Sequence, residues 1–270
     1  MINLLKEEYF IALQASVKAS EVIMTYYSNG FETEIKDDGS PVTQADLASS
    51  EIIESVLAKT SFPITSEEMD KTSFEIRKEW KDSWCVDPLD GTKEFVKKNG
   101  EFAVNIAHIH GCKPVFGIIA SPVNKEIIFG GMETGVFICS FDGLYDSTSW
   151  IKIESTSTIN SPLIVAHSRS HNSGPVLNYV NQLKSTFTEI DYLKKGSSLK
   201  FFDLAQGLAD TYPRFAPTME WDIAPGQAIM EALGGTVLHA FTNEPLVYNK
   251  ENLTNPYFIA NTFAFNNRIA

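Results

Sequence analysis

Five acids stand where short apolar runs end. Glu67 and Glu68 close FPITSEE, Asp87 and Asp90 punctuate SWCVDPLDGTKEF, and Asp222 lies in EWDIAPGQAIMEALGG. Singly, each reads as well as a solvated cap or turn, and Asp90-Gly91 is a common turn dipeptide. Together they describe a different chemistry. Pro88 fixes its own backbone and pushes Asp87 toward an extended conformation, so both aspartates can be held on one side of a tight turn with the Leu89 carbonyl between them. Several carboxylates, a carbonyl and water are the all-oxygen set that a hard cation such as Mg²⁺ takes. Gly91 allows the backbone to approach a ligand, successive N–H groups there can form an anion nest, and the Thr92 hydroxyl can bond a phosphate oxygen or an attacking water.

The bulk of the chain narrows the partners. It has 270 residues, 34 acids against 22 bases and a net charge of −12, which disfavours an electrostatic hold on long nucleic acid or an anionic membrane. Any phosphate must therefore meet a local positive site. The N-terminal MINLLKEEYFIALQ lacks the basic and apolar regions of a signal peptide, and no apolar run reaches the roughly 18 residues of a spanning helix, so a soluble, cytoplasmic chain is expected. Cys85, Cys112 and Cys139 are odd in number, widely spaced and set in apolar runs, as expected for buried free thiols.

Two element patterns must carry these residues. Residues 4–27 repeat apolar positions at three- and four-residue steps, which predicts a long amphipathic helix stopped near Asn29-Gly30. A second helix starts at Thr43, with Asp46 three residues on as in a capping box. The period then changes to short extended runs, FPIT, SWCV and three or four strands over residues 102–140, an antiparallel sheet following two helices. From about residue 156 strands and helices alternate, which predicts a sheet with helices on its faces. The boundary falls in STSTINS, giving an α+β half over 1–155 and an α/β half over 156–270, with a cleft between them for the site. In this reading Asp222 lies just before a helix and Pro225 in its first turn, where a missing N–H costs little.

TSEE, WCVDPLDGTKEFVKKNGEFAVNIA and EWDIAPGQAIMEALGG, in that order, resemble the lithium-sensitive, magnesium-dependent phosphatase superfamily of inositol monophosphatase and fructose-1,6-bisphosphatase. DGTKEFVKKNGEFAVNIA, HSRSH, GSSLKF and YPRF are most similar to its CysQ-type 3'(2'),5'-bisphosphate nucleotidase branch. The resemblance runs from about residue 10 to the C-terminus. It implies an α/β sandwich of layered helices and sheets, αβαβα in order, as in the sugar phosphatases. It also implies that Glu67, Asp87, the Leu89 carbonyl, Asp90 and Asp222 hold two or three Mg²⁺, with Asp87 bridging two of them. Gly91 and Thr92 would hold the scissile phosphate, Thr92 and Glu67 would orient the attacking water, and Thr43 and Asp46 occupy positions that help place water or a further ion.

Substrate choice then rests on the second half. Ser168, Arg169 and His171 fall in a strand-to-helix loop, a usual place for ligands in alternating α/β folds. Gly196, Ser197 and Ser198 open a helix beside Lys200, where N–H and hydroxyl groups can meet a second phosphate, and Asp222 also borders the substrate. Arg214 adds a planar donor. The bland alternatives are a surface loop, a helix cap and solvated cations. Lys93, Glu94 and Phe95 are given no role, and His108, His110 and His239 read as structural. The implied activity is removal of the 3'-phosphate from adenosine 3',5'-bisphosphate, or its 2' isomer or 3'-phosphoadenylyl sulfate, in sulfur assimilation and nucleotide recycling. A phosphatase for inositol or sugar phosphates is the alternative, and a catalytically silent metal-binding protein the remote one. No obligatory protein partner is indicated, a monomer or homodimer is expected, and some bacterial relatives attach to the cytoplasmic face of the inner membrane.

Overall fold

The structure is a computed structural model that describes residues 5–36, 39–168 and 174–269. Helix α1 (Glu7–Asn29) buries Ala12, Leu13, Ala15, Ala19 and Ile23 along one side and stops at Gly30, whose φ of 100° a side chain would resist. A hairpin that the sequence pattern did not signal, β1 (Thr33–Ile35) with β2 (Pro41–Thr43), leads into α2 (Gln44–Leu57). The expected capping box is present there. The Thr43 hydroxyl oxygen accepts from the Ala45 N–H at 3.2 Å, and the Thr43 N–H donates to the Asp46 carboxylate at 2.8 Å. A cap of this kind contributes about 1 kcal/mol to the helix.

Both helices lie on one face of a seven-stranded sheet. Its strands, in spatial and chain order alike, are β3 (Ile64–Ser66), β4 (Asp82–Asp90), β5 (Ala103–His110), β6 (Lys113–Ser121), β7 (Glu126–Gly131), β8 (Gly135–Ser140) and β9 (Ile151–Ile153). All neighbours are antiparallel except β3 and β4, which run parallel, a departure from the wholly antiparallel expectation. Trp84, Val86, Val104 and Ile106 pack toward α1 and α2, while Cys85, Ala103 and Ala107 pack toward the second half. Burial on both faces explains why these strands read as continuous apolar runs and not as alternation.

The second sheet has the order β11-β10-β12-β14-β13: β10 (Leu163–His167), β11 (Ile190–Lys194), β12 (Thr211–Arg214), β13 (Thr236–His239) and β14 (Phe258–Asn261). β10 is parallel to β11 and β12, whereas β14 is antiparallel to β12 and β13. No strand was expected over residues 258–261, and pairing between two strands is what buries them. Short helix α4 (Thr92–Val96) follows α3 (Phe74–Arg77), and in the second half come α5 (Gly174–Leu183), α6 (Leu199–Ala205), α7 (Glu220–Ala232) and α8 (Phe263–Ile269). Helices α6 and α7 lie between the two sheets, and α5 packs with Phe265 of α8 on the outer face of the second. The layers are thus α, β, α, β, α, an α/β sandwich.

Helix α7 differs from the sequence reading in its start. It begins at Glu220, so Asp222 is the third residue of its first turn, and Pro225 lies beyond that turn, removing the bond its N–H would have made to the Trp221 carbonyl. The close seat of α7 explains the tolerance. A Cβ on Gly117 of β6 would come within 2.1 Å of the Pro225 carbonyl oxygen, so glycine there lets α7 press onto the sheet. Cys85 and Cys139 are buried as expected, but Cys112 is exposed, because it occupies the turn after β5 with φ 65° instead of a strand.

Candidate active site

The acids converge because β4 is irregular. The strand continues through Pro88 to Asp90, and its register against β5 shifts: Asp87 faces Asn105 and Asp90 faces Ala103, three steps against two. A regular strand would send residues 87 and 90 to opposite faces; the extra residue of the bulge re-aims the second side chain. Glu67 leaves β3 alongside, its N–H donating to the Val86 carbonyl at 3.1 Å. Asp222 arrives from α7, where one carboxylate oxygen accepts from the Met219 N–H at 2.8 Å. One carboxylate oxygen from each of Glu67, Asp87 and Asp222 lies within 4.8 Å of the other two.

Three carboxylates so placed repel. Burial, and then the charges of Glu67, Asp90 and Asp222, push Asp87 well above the usual carboxylate range. Desolvation and the charges of Asp90 and Glu67 do the same to Asp222, and desolvation raises Glu67 against the pull of Lys36. The Lys36 ammonium, from the β1–β2 hairpin, sits 3.1 Å from Glu67 Oε1 and 2.5 Å from Glu68 Oε1. Burial alone would lower its pKa, and the two glutamates more than reverse that. The Trp221 indole N–H donates to Glu67 Oε2 at 3.1 Å. An oxygen-only, mutually repelling and partly buried set fits a hard divalent cation.

Asp90 lies beside that trio, and its charge acts on Asp87 and Asp222. Its Oδ2 accepts from the Ser197 hydroxyl at 2.7 Å, the Ser198 N–H at 2.5 Å and the Asn105 amide at 3.2 Å. The donors of Ser197 and Ser198 expected to face a second phosphate are therefore directed at a carboxylate, and the Gly196 N–H likewise donates to Glu101 at 2.9 Å. Gly91 turns the chain out of β4 with φ 96°, and a Cβ there would stand 3.0 Å from the Glu101 carbonyl and 3.3 Å from Ser197 Cβ. The Leu89 N–H donates to Asp87 Oδ1 at 3.0 Å, while the Leu89 carbonyl oxygen lies 3.3 Å from the Thr92 hydroxyl.

Thr92 and Asp46 form a pair that sequence reasoning assigned to separate jobs. The Thr92 hydroxyl donates to Asp46 Oδ1 at 2.8 Å, while Asp46 Oδ2 receives the Thr43 hydroxyl at 2.6 Å and its N–H at 2.8 Å. Desolvation raises the Asp46 pKa against these hydrogen bonds. Capping α2 and orienting Thr92 are thus two ends of one carboxylate.

A cavity of about 340 Å³ opens from the acids toward the second half, lined by Asp90, Asp222, Lys93, Glu94, Lys200 and Arg214 among others. Lys200 is buried, and desolvation, followed by the nearby Arg214 charge, lowers its pKa to about 8. Its ammonium donates to the Ser197 carbonyl at 2.6 Å and the Lys195 carbonyl at 3.2 Å. Arg214 donates to the Ser168 hydroxyl at 3.2 Å and the Pro217 carbonyl at 3.3 Å, while its Nε is buried without a partner. A buried donor left over beside a cavity is what an anion would satisfy. Arg169 and His171 lie outside the described residues.

The shifted carboxylates predict a pH signature. Their folded pKa values exceed the unfolded ones, so the folded metal-free protein holds more protons, and its stability falls as pH rises from the unfolded carboxylate range toward the raised values. In chelator, this cluster should make the protein melt lower at pH 7.5 than at pH 5.5, relative to Asp87→Asn, and added Mg²⁺ should raise the melting temperature more at the higher pH. Scanning fluorimetry reads both; an Mg²⁺ shift of equal size at the two pH values would contradict the electrostatic account.

Comparison with known proteins gives a consistent set of relatives. The inositol monophosphatase family matches residues 4–264. The 3'(2'),5'-bisphosphate nucleotidase CysQ of Shigella flexneri is 38% identical over 250 residues, 91% of this chain and 96% of the relative, and that of Escherichia coli K12 is 37% identical with the same coverage. Among solved structures, CysQ from Bacteroides thetaiotaomicron, described as a bacterial member of the inositol monophosphatase family, superposes with a TM-score of 0.83 at 40% identity, covering 94% of this chain and 96% of that one. An IMPase/NADP phosphatase solved with Mg²⁺ and phosphate shares the fold, with a TM-score of 0.73 at 20% identity over 93% and 89% of the chains.

Proposed function

The chain belongs to the inositol monophosphatase family, and from that premise we propose that it is a Mg²⁺-dependent 3'(2'),5'-bisphosphate nucleotidase. It hydrolyses the 3'-phosphate of adenosine 3',5'-bisphosphate to AMP and phosphate, and takes the 2' isomer and 3'-phosphoadenylyl sulfate as further substrates. The observation that carries this reading is the make-up of one cavity: Asp90 and Asp222 line it together with buried Lys200 and half-buried Arg214, whose Nε is buried without a partner. A substrate with two phosphates could meet the carboxylate-held cation with one and Lys200 and Arg214 with the other. An inositol or sugar monophosphate would meet the cation alone and leave Arg214 Nε unpaired.

Glu67, Asp87, the Leu89 carbonyl, Asp90 and Asp222 hold the metal in this reading, Asp90 while its Oδ2 is bound by Ser197 and Ser198. Mg²⁺ bound there supplies a water of lowered pKa and neutralises charge on the phosphate. The protein's own groups do the positioning. Thr92 gives its hydroxyl proton to Asp46 and so presents oxygen lone pairs to a water, which Glu67 orients from the other side. Gly91 and Thr92 hold the phosphate at the start of α4. The water oxygen bonds to phosphorus as the P–O3' bond breaks, and of the water's two protons one ends on the 3' oxygen of the departing AMP and the other remains with the released phosphate. Residues 1–155 thus supply most of the metal site, and residues 156–270 supply Asp222, Lys200, Arg214 and, beside them, Ser168. The cytoplasm is the expected place of action; among the described residues no helix is long and apolar enough to cross a membrane.

The reading is tested by product analysis with Mg²⁺. Adenosine 3',5'-bisphosphate should yield 5'-AMP and one phosphate, and release of 3'-AMP or of adenosine would refute it.

A further inference from the structure

We propose that Asp82, His108 and His110 form a second metal site, for a borderline transition metal of the zinc type, at the end of β4 opposite the carboxylates. The topology builds it. Asp82 pairs directly with His110, Trp84 pairs with His108, and residues two apart in a strand share a face, so all three side chains stand on the α1 side of the sheet. His108 Nε2 is 2.9 Å and His110 Nδ1 2.7 Å from the same oxygen, Asp82 Oδ1. Tetrahedral ligands bound at about 2 Å stand roughly 3.3 Å apart, so each histidine nitrogen needs to draw back from Asp82 Oδ1 by about half an ångström. His110 is exposed and free to swing by that amount.

The surroundings suit a metal and differ from those of the first site. Two imidazoles and one carboxylate select zinc-like ions over Mg²⁺, which prefers oxygen alone. Tyr9 shares a 3.0 Å hydrogen bond with His108 Nδ1, and its ring stacks on Phe116 at 3.9 Å, which fixes the imidazole with Nε2 toward Asp82. Burial lowers the His108 pKa against the hydrogen bond to Asp82. Burial would raise Asp82, but the hydrogen bonds from His110 and His108 outweigh it. Lys6, the nearby cation, is paired with Glu133 at 3.1 Å. A cavity of about 260 Å³ bordered by these residues and Phe62 leaves room for a water as fourth ligand. It shares no lining residue with the cavity at Asp90 and Asp222. Five residue steps of extended strand lead from Asp82 to Asp87, roughly 16 Å.

The test is calorimetric titration of the whole protein with Zn²⁺ in excess Mg²⁺, which keeps the carboxylates engaged. One equivalent should bind with micromolar or tighter affinity and raise the melting temperature. His110→Ala should weaken binding at least about a hundredfold while the metal-free protein stays folded, and Tyr9→Phe should weaken it by about tenfold through lost orientation. Asp87→Asn should leave the zinc affinity unchanged. Absence of zinc binding at submillimolar concentration, binding that survives His110→Ala, or binding lost in Asp87→Asn would each overturn the proposal. None of these outcomes depends on the substrate assigned to the first site.

Discussion

Asp87→Asn is expected to lower phosphate release by at least about a thousandfold without lowering the melting temperature of the metal-free protein. The substitution keeps the shape, and an amide oxygen can still accept from the Leu89 N–H now bound at 3.0 Å. What it removes is the most buried charge of the cluster, which burial and three neighbouring carboxylates already hold far above its ordinary pKa. In the absence of metal that charge is a cost to folding, so its loss is neutral or stabilising. In the proposed reading that charge is also the attraction that holds Mg²⁺, so the stabilisation conferred by Mg²⁺ should shrink together with turnover. Kinetics and melting curves with and without Mg²⁺ on the same preparations check both. Full activity in Asp87→Asn would refute the metal assignment, and a collapse of the metal-free fold would show that the carboxylate is structural. Asp90→Asn is a less clean probe, because three donors converge on Asp90 Oδ2 and an amide oxygen accepts them more weakly than a carboxylate does.

The second large effect is on selectivity. Lys200→Met and Arg214→Met together are expected to lower kcat/KM for adenosine 3',5'-bisphosphate by about two orders of magnitude or more, since in the proposed reading each removes a charge-assisted contact to the 5'-phosphate. Hydrolysis of 3'-AMP, which lacks that phosphate, should change only a few-fold. The loss should appear in KM more than in kcat, because the 5'-phosphate is not the reacting group. Lys200 adds a pH signature. Its ammonium pKa is lowered to about 8 in the free protein, so above that pH the free site loses a positive charge that a bound phosphate would retain. KM for the bisphosphate should therefore rise above pH 8, KM for 3'-AMP should not, and the rise should vanish in Lys200→Met. Equal losses on both substrates would mean that these cations support the fold of the cavity and not the second phosphate.

Local chemistry and periodicity were readable from the sequence wherever one element decided them. The capping box at Thr43, the stop at Gly30 and the alternation of strand and helix after residue 156 depend on neighbours in the chain. What the sequence could not display were relations across the fold. The bulge that brings Asp90 round depends on pairing with β5, and strand β14 exists because β12 and β13 flank it. Helix α7 begins two residues before Asp222 because its seat against Gly117 makes a proline beyond the first turn tolerable. Ser197 and Ser198 were read as anion donors from their place before a helix, yet their partner is Asp90, over a hundred positions away. Lys36 carried no signal at all. It lies in a hairpin without marked periodicity, and only its position 3.1 Å from Glu67 reveals it.

The central claim is that one cavity reads two phosphates and cleaves one. It is tested most directly by measuring kcat/KM with Mg²⁺ for adenosine 3',5'-bisphosphate, 3'-AMP, inositol 1-phosphate and fructose 1,6-bisphosphate on one enzyme preparation. The account predicts that the adenosine bisphosphate leads each of the others by at least about a hundredfold. Preference for inositol 1-phosphate or fructose 1,6-bisphosphate, or no release from any of the four, would contradict it.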